Sequence, residues 1–542
     1  MLGQMMSRPL SISMIARHAQ AWHANREIVS ITSDQPRHRY TYGDAFSRAR
    51  QLSNALARAG IRRGDRIATL AWNDFRHFEI YYGVSCAGFV CHTINPRLFE
   101  DQIAFIANHA EDRWLFLDPV FVPLVEKIEA RIANVERFVV LTDAAHMPAT
   151  RLRGAISYEQ LIAGESAECD WPEFDENTAS SLCYTSGTTG DPKGVLYSHR
   201  STVLHSMSCA FPDAHRLSSS DVILAVVPMF HVNAWGLPYT AAMVGAKLVL
   251  PGPKMGDPAT LQALIEGERV TFAAGVPTVW QGMVAYLENS GKRLDSLQRV
   301  LSGGSAVPVA LMDQLRDKFG VEVVHAWGMT ENSPMGSVCT FSPEARALPP
   351  EQRDALRGKQ GRCVFGVEMK IVDDDDAPLP HDGKAFGALK IRGPWVASSY
   401  YKCAEAAAFD AHGWFGTGDV ATIDPLGYLQ ITDRTKDVIK SGGEWISSIE
   451  LENLAVAHPG VAQAAVIAIS HPKWQERPLL VVVLKPGHTV TREELLAFYL
   501  GKVARWWIPD DVAFVETLPL TATGKLSKRQ LRQQFKDYRL PE

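Results

Sequence analysis

The amino-acid sequence predicts an α/β protein with largely parallel sheets, because helical and strand-like apolar patterns alternate along its first half. Residues 42–59 carry apolar side chains at helical spacing, and residues 66–71 form a short apolar run typical of a buried strand. The same alternation continues as a helix at 75–88, a strand at 90–94, a helix at 102–109 and a strand at 114–117. Strands that alternate with helices favour parallel pairing.

Four more short apolar runs extend this pattern, at residues 222–227, 247–250, 272–275 and 299–302. From about residue 363 the pattern changes, since predicted strands at 367–372 and 388–392 flank four consecutive aspartates, 373–376. Like charges in a row repel one another, so this acidic connection is predicted to be a solvated turn.

The last hundred or so residues predict a separate small domain. The predicted elements are a helix at 449–457, strands at 461–469 and 479–485, and a helix at 491–502 that opens with a capping-box sequence. The segment Asp-Arg-Thr-Lys-Asp at 433–437 separates the two patterns. We therefore expect one domain over residues 1–433 and another over 434–542.

Composition narrows the possible classes of protein. A chain of 542 residues with 46% hydrophobic and 21% charged residues is typical of a multidomain globular protein. A net charge of −5 shows none of the excess of basic residues that is typical of nucleic-acid-binding proteins. The eight cysteines include no CxxC pair, which favours free thiols in the cytoplasm over zinc or disulfides. No signal peptide or membrane-spanning run is predicted, although peripheral membrane contact stays compatible with the sequence.

A segment rich in glycine and hydroxyl groups gives the strongest functional signal. Residues 184–195 read Tyr-Thr-Ser-Gly-Thr-Thr-Gly-Asp-Pro-Lys-Gly-Val and lie between two predicted strands. Glycines let the backbone present its N–H groups to an anion, hydroxyls add donors, and Lys193 adds a positive charge. The spacing is not that of a P-loop, because Gly194 follows the lysine. The segment predicts a phosphate-binding loop, and a flexible surface hairpin is the alternative.

Five later segments combine polar side chains with turns. Glu331 follows His-Ala-Trp-Gly-Met-Thr and could hold Mg²⁺ beside a triphosphate. Asp419 follows a glycine-rich turn and could accept hydrogen bonds from a ribose. Residues 433–437 form a charged cluster, residues 441–445 form a second hydroxyl-glycine loop, and Lys525 ends a loop that begins at Pro519. Taken singly, each segment is also compatible with an ordinary surface loop or ion pair.

Together and in this order, these segments resemble the adenylate-forming superfamily over essentially the whole chain. That superfamily includes acyl-CoA synthetases, firefly luciferase and peptide-synthetase adenylation domains. The N-terminal Met-Leu-Gly-Gln-Met-Met and the segments at 91–98, 230–235 and 440–447 most resemble bacterial medium- and long-chain fatty acyl-CoA synthetases of the AlkK type. The resemblance implies a large N-terminal domain of parallel and mixed sheets, a β-barrel-like subdomain and a small mobile α+β C-terminal domain.

The implied reaction is ATP-dependent ligation of a carboxylic acid to CoA through an acyl-adenylate. The resemblance assigns ATP and AMP binding to Thr185, Ser186, Gly187, Thr188, Thr189, Gly190, Lys193, Trp327, Gly328, Met329, Asp419 and Arg434. It assigns catalysis to His231, Thr330, Glu331 and Lys525, and Mg²⁺ to Glu331 and Thr185. It assigns the acyl pocket to Val232, Trp235, Gly303 and Gly304, the hinge to Lys436, and CoA binding to Ser441, Gly442, Gly443 and Trp445. Small residues at 303 and 304 are expected to leave the pocket deep.

One departure and several alternatives accompany this interpretation. Trp327 replaces the tyrosine that is common before Gly-Met-Thr-Glu, so adenine stacking and pocket width are uncertain by sequence. A medium-chain fatty acid is the expected substrate, and an aryl, aryl-alkyl or short thioether acid is the alternative. A luciferase-type oxygenase or a carrier-loading adenylation domain would share the first half-reaction. A non-catalytic lipid-binding relative would be expected to lack Glu331, Asp419 or Lys525. A cytoplasmic homodimer is expected.

Overall fold

The computed structural model describes residues 1, 3–185, 192–403, 408–434, 436–442, 444–520 and 526–541, without the side chains of Glu444 and Trp445. Within these residues, no helix is both long enough and apolar enough to cross a membrane.

The described helices are mostly short, and several begin at residues whose side chains cap them. Thr41 accepts a hydrogen bond from the backbone N–H of Asp44, and Asp257 accepts one from that of Thr260. In chain order the helices are α1 Ile12–Trp22, α2 Tyr42–Arg58, α3 Phe75–Ser85, α4 Glu100–Ala110, α5 Val122–Ile128, α6 Tyr158–Ile162, α7 His199–Ala210, α8 Val232–Trp235, α9 Leu237–Val244, α10 Pro258–Glu268, α11 Pro277–Ser290, α12 Val309–Phe319, α13 Pro343–Arg346, α14 Pro350–Arg357, α15 Ser448–Val456, α16 Arg492–Phe498 and α17 Lys528–Gln534. Four 3-10 turns lie at Pro119–Phe121, Glu129–Arg131, Thr330–Asn332 and Arg505–Trp507.

The strands are rich in β-branched and other apolar residues, as buried strands require. In chain order they are β1 Glu27–Ser30, β2 His38–Thr41, β3 Arg66–Leu70, β4 Val90–Thr93, β5 Asp112–Leu117, β6 Arg137–Val140, β7 Ile156–Ser157, β8 Ala179–Tyr184, β9 Gly194–Ser198, β10 Val222–Ala225, β11 Lys247–Leu250, β12 Phe272–Gly275, β13 Arg299–Ser302, β14 Glu322–Gly328, β15 Met335–Val338, β16 Arg362–Cys363, β17 Glu368–Val372, β18 Phe386–Arg392, β19 Phe415–Ile423, β20 Leu429–Arg434, β21 Ile439–Ser441, β22 Glu444–Ile446, β23 Val461–His471, β24 Gln475–Leu484 and β25 Asp511–Phe514.

Two large sheets form the body of the first part of the chain. One has the strand order β7-β6-β5-β3-β4-β8-β9 and is parallel except between β8 and β9. The other has the order β16-β15-β14-β13-β12-β10-β11-β1-β2 and is parallel from β14 to β1. Helices α2 and α3 pack together in the largest core cluster, where Leu52 and Phe78 are fully buried with Ile67 of one sheet and Leu248 of the other.

Two smaller sheets follow. Strands β17-β18-β19-β20 form an open antiparallel sheet, the element expected to be a β-barrel-like subdomain. Strands β22-β21-β24-β23 form a second sheet, to which β25 adds in parallel beside β24. The first of these sheets ends at Arg434 and the second begins at Ile439.

The predicted α/β class and the predicted strands of the two large sheets are confirmed. The acidic run is a turn, in which the backbone N–H of Asp376 donates to the carbonyl of Asp373. The predicted helix 491–502 is too long at its end, because α16 stops at Phe498 and Gly501 adopts a φ of 75°. Its predicted capping box, between Thr491 and Glu494, is present.

Candidate functional site

The carboxyl ends of parallel strands meet along one wall of a single cavity. The segments that follow β8, β10, β13 and β14 all line this cavity, which has a volume of ≈ 1160 Å³. Ligand sites of open α/β sheets characteristically lie beyond the carboxyl ends of their strands. The antiparallel sheet β17–β20 and helices α15 and α17 complete the lining.

Most of the residues singled out by sequence line this cavity, although they come from six separate segments. They are Thr185, Lys193, His231, Val232, Trp235, Gly303, Gly304, Trp327, Gly328, Met329, Thr330, Glu331, Asp419, Arg434 and Lys436. Ser186, Gly187, Thr188, Thr189, Gly190, Gly443, Lys525 and the side chain of Trp445 lie outside the described residues. Ser441 and Gly442 are described, but they lie at the β21–β22 turn and do not line the cavity.

Asp419 is held at the cavity by two donors. Its side chain is 2% exposed, and its Oδ1 lies 2.7 Å from Nε of Arg434. The indole Nε1 of Trp327 donates to its Oδ2 over 2.9 Å. The indole itself needs a glycine beneath it, because a Cβ at Gly336 would lie 2.4 Å from Cζ3 of Trp327. The departure at residue 327 thus orients the carboxylate, a contact that sequence reasoning did not anticipate.

Glu331 is a buried carboxylate on the 3-10 turn that follows β14. The hydroxyl of Tyr400 donates to its Oε1 over 2.7 Å. Burial raises the pKa of Glu331 above its ordinary value of 4.5, and the Tyr400 hydrogen bond opposes that rise. The backbone around it is also fixed, since the carbonyl of Thr330 accepts from the Tyr197 hydroxyl over 2.6 Å. Glu331 therefore presents oxygen atoms, the ligands that Mg²⁺ prefers, from a well-supported turn.

The start and end of the predicted phosphate loop lie together. The backbone N–H of Thr185 donates to the carbonyl of Lys193 over 2.9 Å. The ammonium of Lys193 lies 4.9 Å from the ring centroid of Tyr400, a cation–π contact that steadies an otherwise exposed side chain. Tyr400 thus touches both Lys193 and Glu331. Neither Tyr197 nor Tyr400 belongs to a motif recognisable in one sequence, so neither residue was predicted.

The segment between β10 and α9 contains an unusual backbone conformation. Val232, Asn233, Ala234 and Trp235 have φ values of 47°, 51°, 49° and 55°, so α8 is a left-handed turn. Left-handed conformations cost L-residues roughly 1–2 kcal/mol each. Val232 and Trp235 nevertheless both line the cavity, next to His231.

The glycine pair at 303 and 304 follows β13 and lines the same cavity. Gly303 lines the cavity, and it also allows close packing, because a Cβ there would lie 2.4 Å from the carbonyl oxygen of Ala326. Gly304 adopts a φ of 82°, which favours glycine. The nearby wall is mostly apolar and includes Val276, Pro334 and Met335.

The C-terminal elements present charged side chains to the same cavity. Asp433 accepts hydrogen bonds from the backbone N–H and the hydroxyl of Ser448, over 2.8 Å and 2.6 Å. Lys528 pairs with Glu452 at 2.8 Å. Leu520 and Leu526, the described residues on either side of the segment that contains Lys525, also line the cavity.

Comparisons with known proteins identify the family of the chain. Residues 15–401 match the model of the AMP-binding enzyme family, and residues 450–525 match the AMP-binding enzyme C-terminal domain. A 3-methylmercaptopropionyl-CoA ligase of Ruegeria lacuscaerulensis is 53% identical, with 99% of each chain covered. A medium-chain-fatty-acid–CoA ligase of Ectopseudomonas oleovorans is 51% identical, with 99% of this chain and 98% of the relative covered.

A solved anthranilate CoA ligase in complex with anthranoyl-AMP has the same fold, with a TM-score of 0.87 and 26% identity. The match covers 97% of this chain and 98% of that one. The family match covers well over half of the chain, and the similar sequences extend over nearly all of it. The chain belongs to the AMP-binding enzyme family and is an ATP-dependent acyl-CoA ligase.

Proposed function

We propose that this ligase activates a medium-chain fatty acid. The observation that carries the proposal is a single cavity lined by both polar and apolar side chains. Asp419, Glu331 and Lys193 are among the polar residues that line it, and Val232 and Trp235 are among the apolar ones. An apolar chain would bury its surface against the apolar residues while its carboxylate faces the polar ones.

In the proposed first step, a carboxylate oxygen attacks the α-phosphorus of ATP and the bond to pyrophosphate breaks. The developing negative charge calls for donors and cations that are already in place. Lys193, Thr185 and the loop between them would hold the β- and γ-phosphates. Asp419, oriented by Trp327 and Arg434, would accept hydrogen bonds from the ribose. His231 and Thr330 would contact the reacting carboxylate and the α-phosphate.

The residues also fit a magnesium ion. Glu331 offers a carboxylate and Thr185 a hydroxyl, both hard oxygen ligands, on the same cavity. These two residues would hold the ion, which would supply positive charge to neutralise the phosphates. Tyr400 would keep the Glu331 carboxylate oriented, because its hydroxyl already donates to it.

In the proposed second step, the CoA thiol attacks the acyl carbon and AMP leaves. Lys525 would bridge the carboxylate and the α-phosphate only in the first step. The cavity-lining positions of Leu520 and Leu526 support that assignment. Rotation of residues 434–542 about a hinge at Lys436 would then withdraw Lys525 and bring the 441–445 loop, with Ser441, Gly442, Gly443 and Trp445, to CoA. Domain motion of this kind is absorbed by a few hinge residues.

A short thioether acid is the second candidate substrate. The relative from Ruegeria lacuscaerulensis carries that activity in its name, at an identity close to that of the fatty-acid ligase. Apolar pockets distinguish substrates by only about 1–3 kcal/mol per methylene, so the two substrate classes can overlap.

We further propose a cytoplasmic homodimer. None of the eight cysteines is in a disulfide, which suits a reducing compartment. Met5, Met6 and Trp22 expose apolar surface near the N-terminus and are candidates for a subunit contact. Light scattering coupled to gel filtration gives the mass in solution, and a monomer at micromolar concentration would refute the dimer.

Pyrophosphate release measured across linear acids of increasing length, 3-(methylthio)propionate and benzoates, with CoA present, tests the substrate proposal. We expect the highest kcat/KM for a linear medium-chain acid. A higher value for the thioether acid or a benzoate would contradict it.

A further inference from the structure

The left-handed turn Val232–Trp235 is exceptional among the described residues. Every other described non-glycine residue with positive φ is an isolated position, whereas here four follow one another. Val232 is β-branched and tolerates this region least. Strain of this kind persists only where the surroundings impose it, and it is concentrated at functional sites.

Asn233 is the member of the turn that ties it to the rest of the protein. Its side chain is buried, and its Nδ2 donates to the Ser181 hydroxyl over 3.0 Å. Its Oδ1 accepts from the Cys183 thiol over 3.5 Å. Asparagine also tolerates the left-handed region better than most residues. Asparagine at position 233 thus tolerates the left-handed backbone, and its side chain fixes the position of the turn.

A second clamp holds the segment just before the turn. Oδ1 of Asn73 accepts from the backbone N–H of Met229 over 2.7 Å, and its Nδ2 donates to the carbonyls of Ala225 and Val227 over 2.9 Å and 2.8 Å. The Asn73 contacts therefore fix the backbone just before the turn. The Asn233 contacts fix the turn itself against β8.

The two partners of Asn233 lie on the strand that leads into the predicted phosphate loop. Ser181 and Cys183 are two residues apart on β8, so their side chains point to the same side of the strand. Thr185 is the residue that follows the last residue of β8. We propose that Asn233 is a positioning residue that aligns the acid-binding wall, formed by Val232 and Trp235, with the end of β8 at Thr185. The reacting carboxylate and the α-phosphate are thereby held in register.

The inference rests on the proposed acid pocket. It predicts a change in the rate of adenylate formation in a protein that still folds. Small misplacements of reacting groups are costly, since a shift of about 1 Å can reduce a rate by roughly a hundredfold. Loss of the Asn233–Ser181 contact is therefore expected to reduce acid-dependent ATP–pyrophosphate exchange.

Two single variants test the contact from its two sides. Asn233→Gly keeps a residue that accepts positive φ but removes the side chain, and Ser181→Ala removes the partner without touching the turn. Each should lower kcat for exchange roughly tenfold, which corresponds to about 1.4 kcal/mol. The KM for ATP should stay within about twofold, because the nucleotide residues are unchanged. The double variant should be no slower than Asn233→Gly alone, since both changes remove one contact.

Asn233→Asp supplies the conservative rescue, because the Ser181 hydroxyl can rotate and donate to the new carboxylate. It should recover most of the rate. Arg269→Gly, at an exposed left-handed position remote from the cavity, is the matched control and should leave exchange unchanged.

Rates within twofold of the parent for folded Asn233→Gly and Ser181→Ala would overturn the inference. If Asn233→Gly fails to fold, Ser181→Ala alone decides, because it leaves the turn intact. Trp235→Ala distinguishes failure of the positioning role from failure of the proposed pocket. An unchanged chain-length preference in Trp235→Ala would refute the pocket. A changed preference, together with a parental exchange rate in Ser181→Ala, would refute only the positioning role of Asn233.

Discussion

The indole Nε1 of Trp327 lies 2.9 Å from Oδ2 of Asp419, and Arg434 approaches the other carboxylate oxygen to 2.7 Å. A carboxylate with donors on both oxygens has a defined orientation. The tryptophan that departs from the usual family pattern thus supports the residue proposed to bind ribose. It keeps an aromatic face in the cavity as well.

Trp327→Phe should weaken nucleotide binding. The change keeps an aromatic ring but removes the N–H donor to Asp419, and hydrogen bonds to charged groups are worth about 1.5–3 kcal/mol. We expect the KM for ATP to rise roughly tenfold with little change in the KM for the acid. Steady-state pyrophosphate release measures both. Trp506→Phe, at an exposed position away from the cavity, is the control, and an unchanged KM for ATP in Trp327→Phe would refute the orienting role.

Trp235→Ala should change the chain-length preference. Trp235 is half-buried on the cavity wall, and its removal would lengthen or widen the apolar part. We expect the preferred chain length to move toward longer acids. The relative kcat/KM should change by up to roughly tenfold for each added methylene. A series of linear acids measures this. An identical profile would show that Trp235 does not border the acyl chain.

Tyr400→Phe should move the acid limb of activity to higher pH. Burial already raises the pKa of Glu331 above 4.5, and the Tyr400 hydroxyl opposes that rise. Without this hydroxyl the pKa of Glu331 should rise further. The ionised carboxylate proposed to hold Mg²⁺ is lost as pH falls through that pKa, so activity should fall at a higher pH than in the parent.

Rate profiles at saturating ATP between pH 5 and 8, in steps of about half a unit, measure that displacement. Tyr401→Phe, next along the chain and not on the cavity, is the matched control. Coincident acid limbs in Tyr400→Phe and the parent would contradict the prediction.

The sequence predicted the fold class well because hydrophobic periodicity and glycine-rich turns are local signals. It also identified Glu331 and Asp419, since each lies in a short recognisable segment. It did not predict Tyr400, Tyr197 or Asn233, whose importance comes from contacts with residues far away in the chain. The close packing at Gly303 was not predicted for the same reason, because the carbonyl that a side chain there would meet belongs to the neighbouring strand β14.

The end of α16 shows a different limit. Its start was predicted from a capping box, which depends on adjacent residues. The end of α16 depends on where the chain changes direction. Gly501, with its positive φ, allows that turn within the range that was predicted to be helical. Helix ends are the least certain part of such predictions.

The most direct test of the two-step account is the pair of half-reactions in Lys525→Ala, with Lys536→Ala as the exposed control in the same C-terminal segment. Acid-dependent ATP–pyrophosphate exchange reports the first half-reaction. Thioester formation from supplied acyl-adenylate and CoA reports the second. We expect exchange to fall at least about a hundredfold, because the lysine is proposed to stabilise charge only in the first step. Thioester formation should stay within about threefold of the parent. Equal loss of both half-reactions would contradict the account.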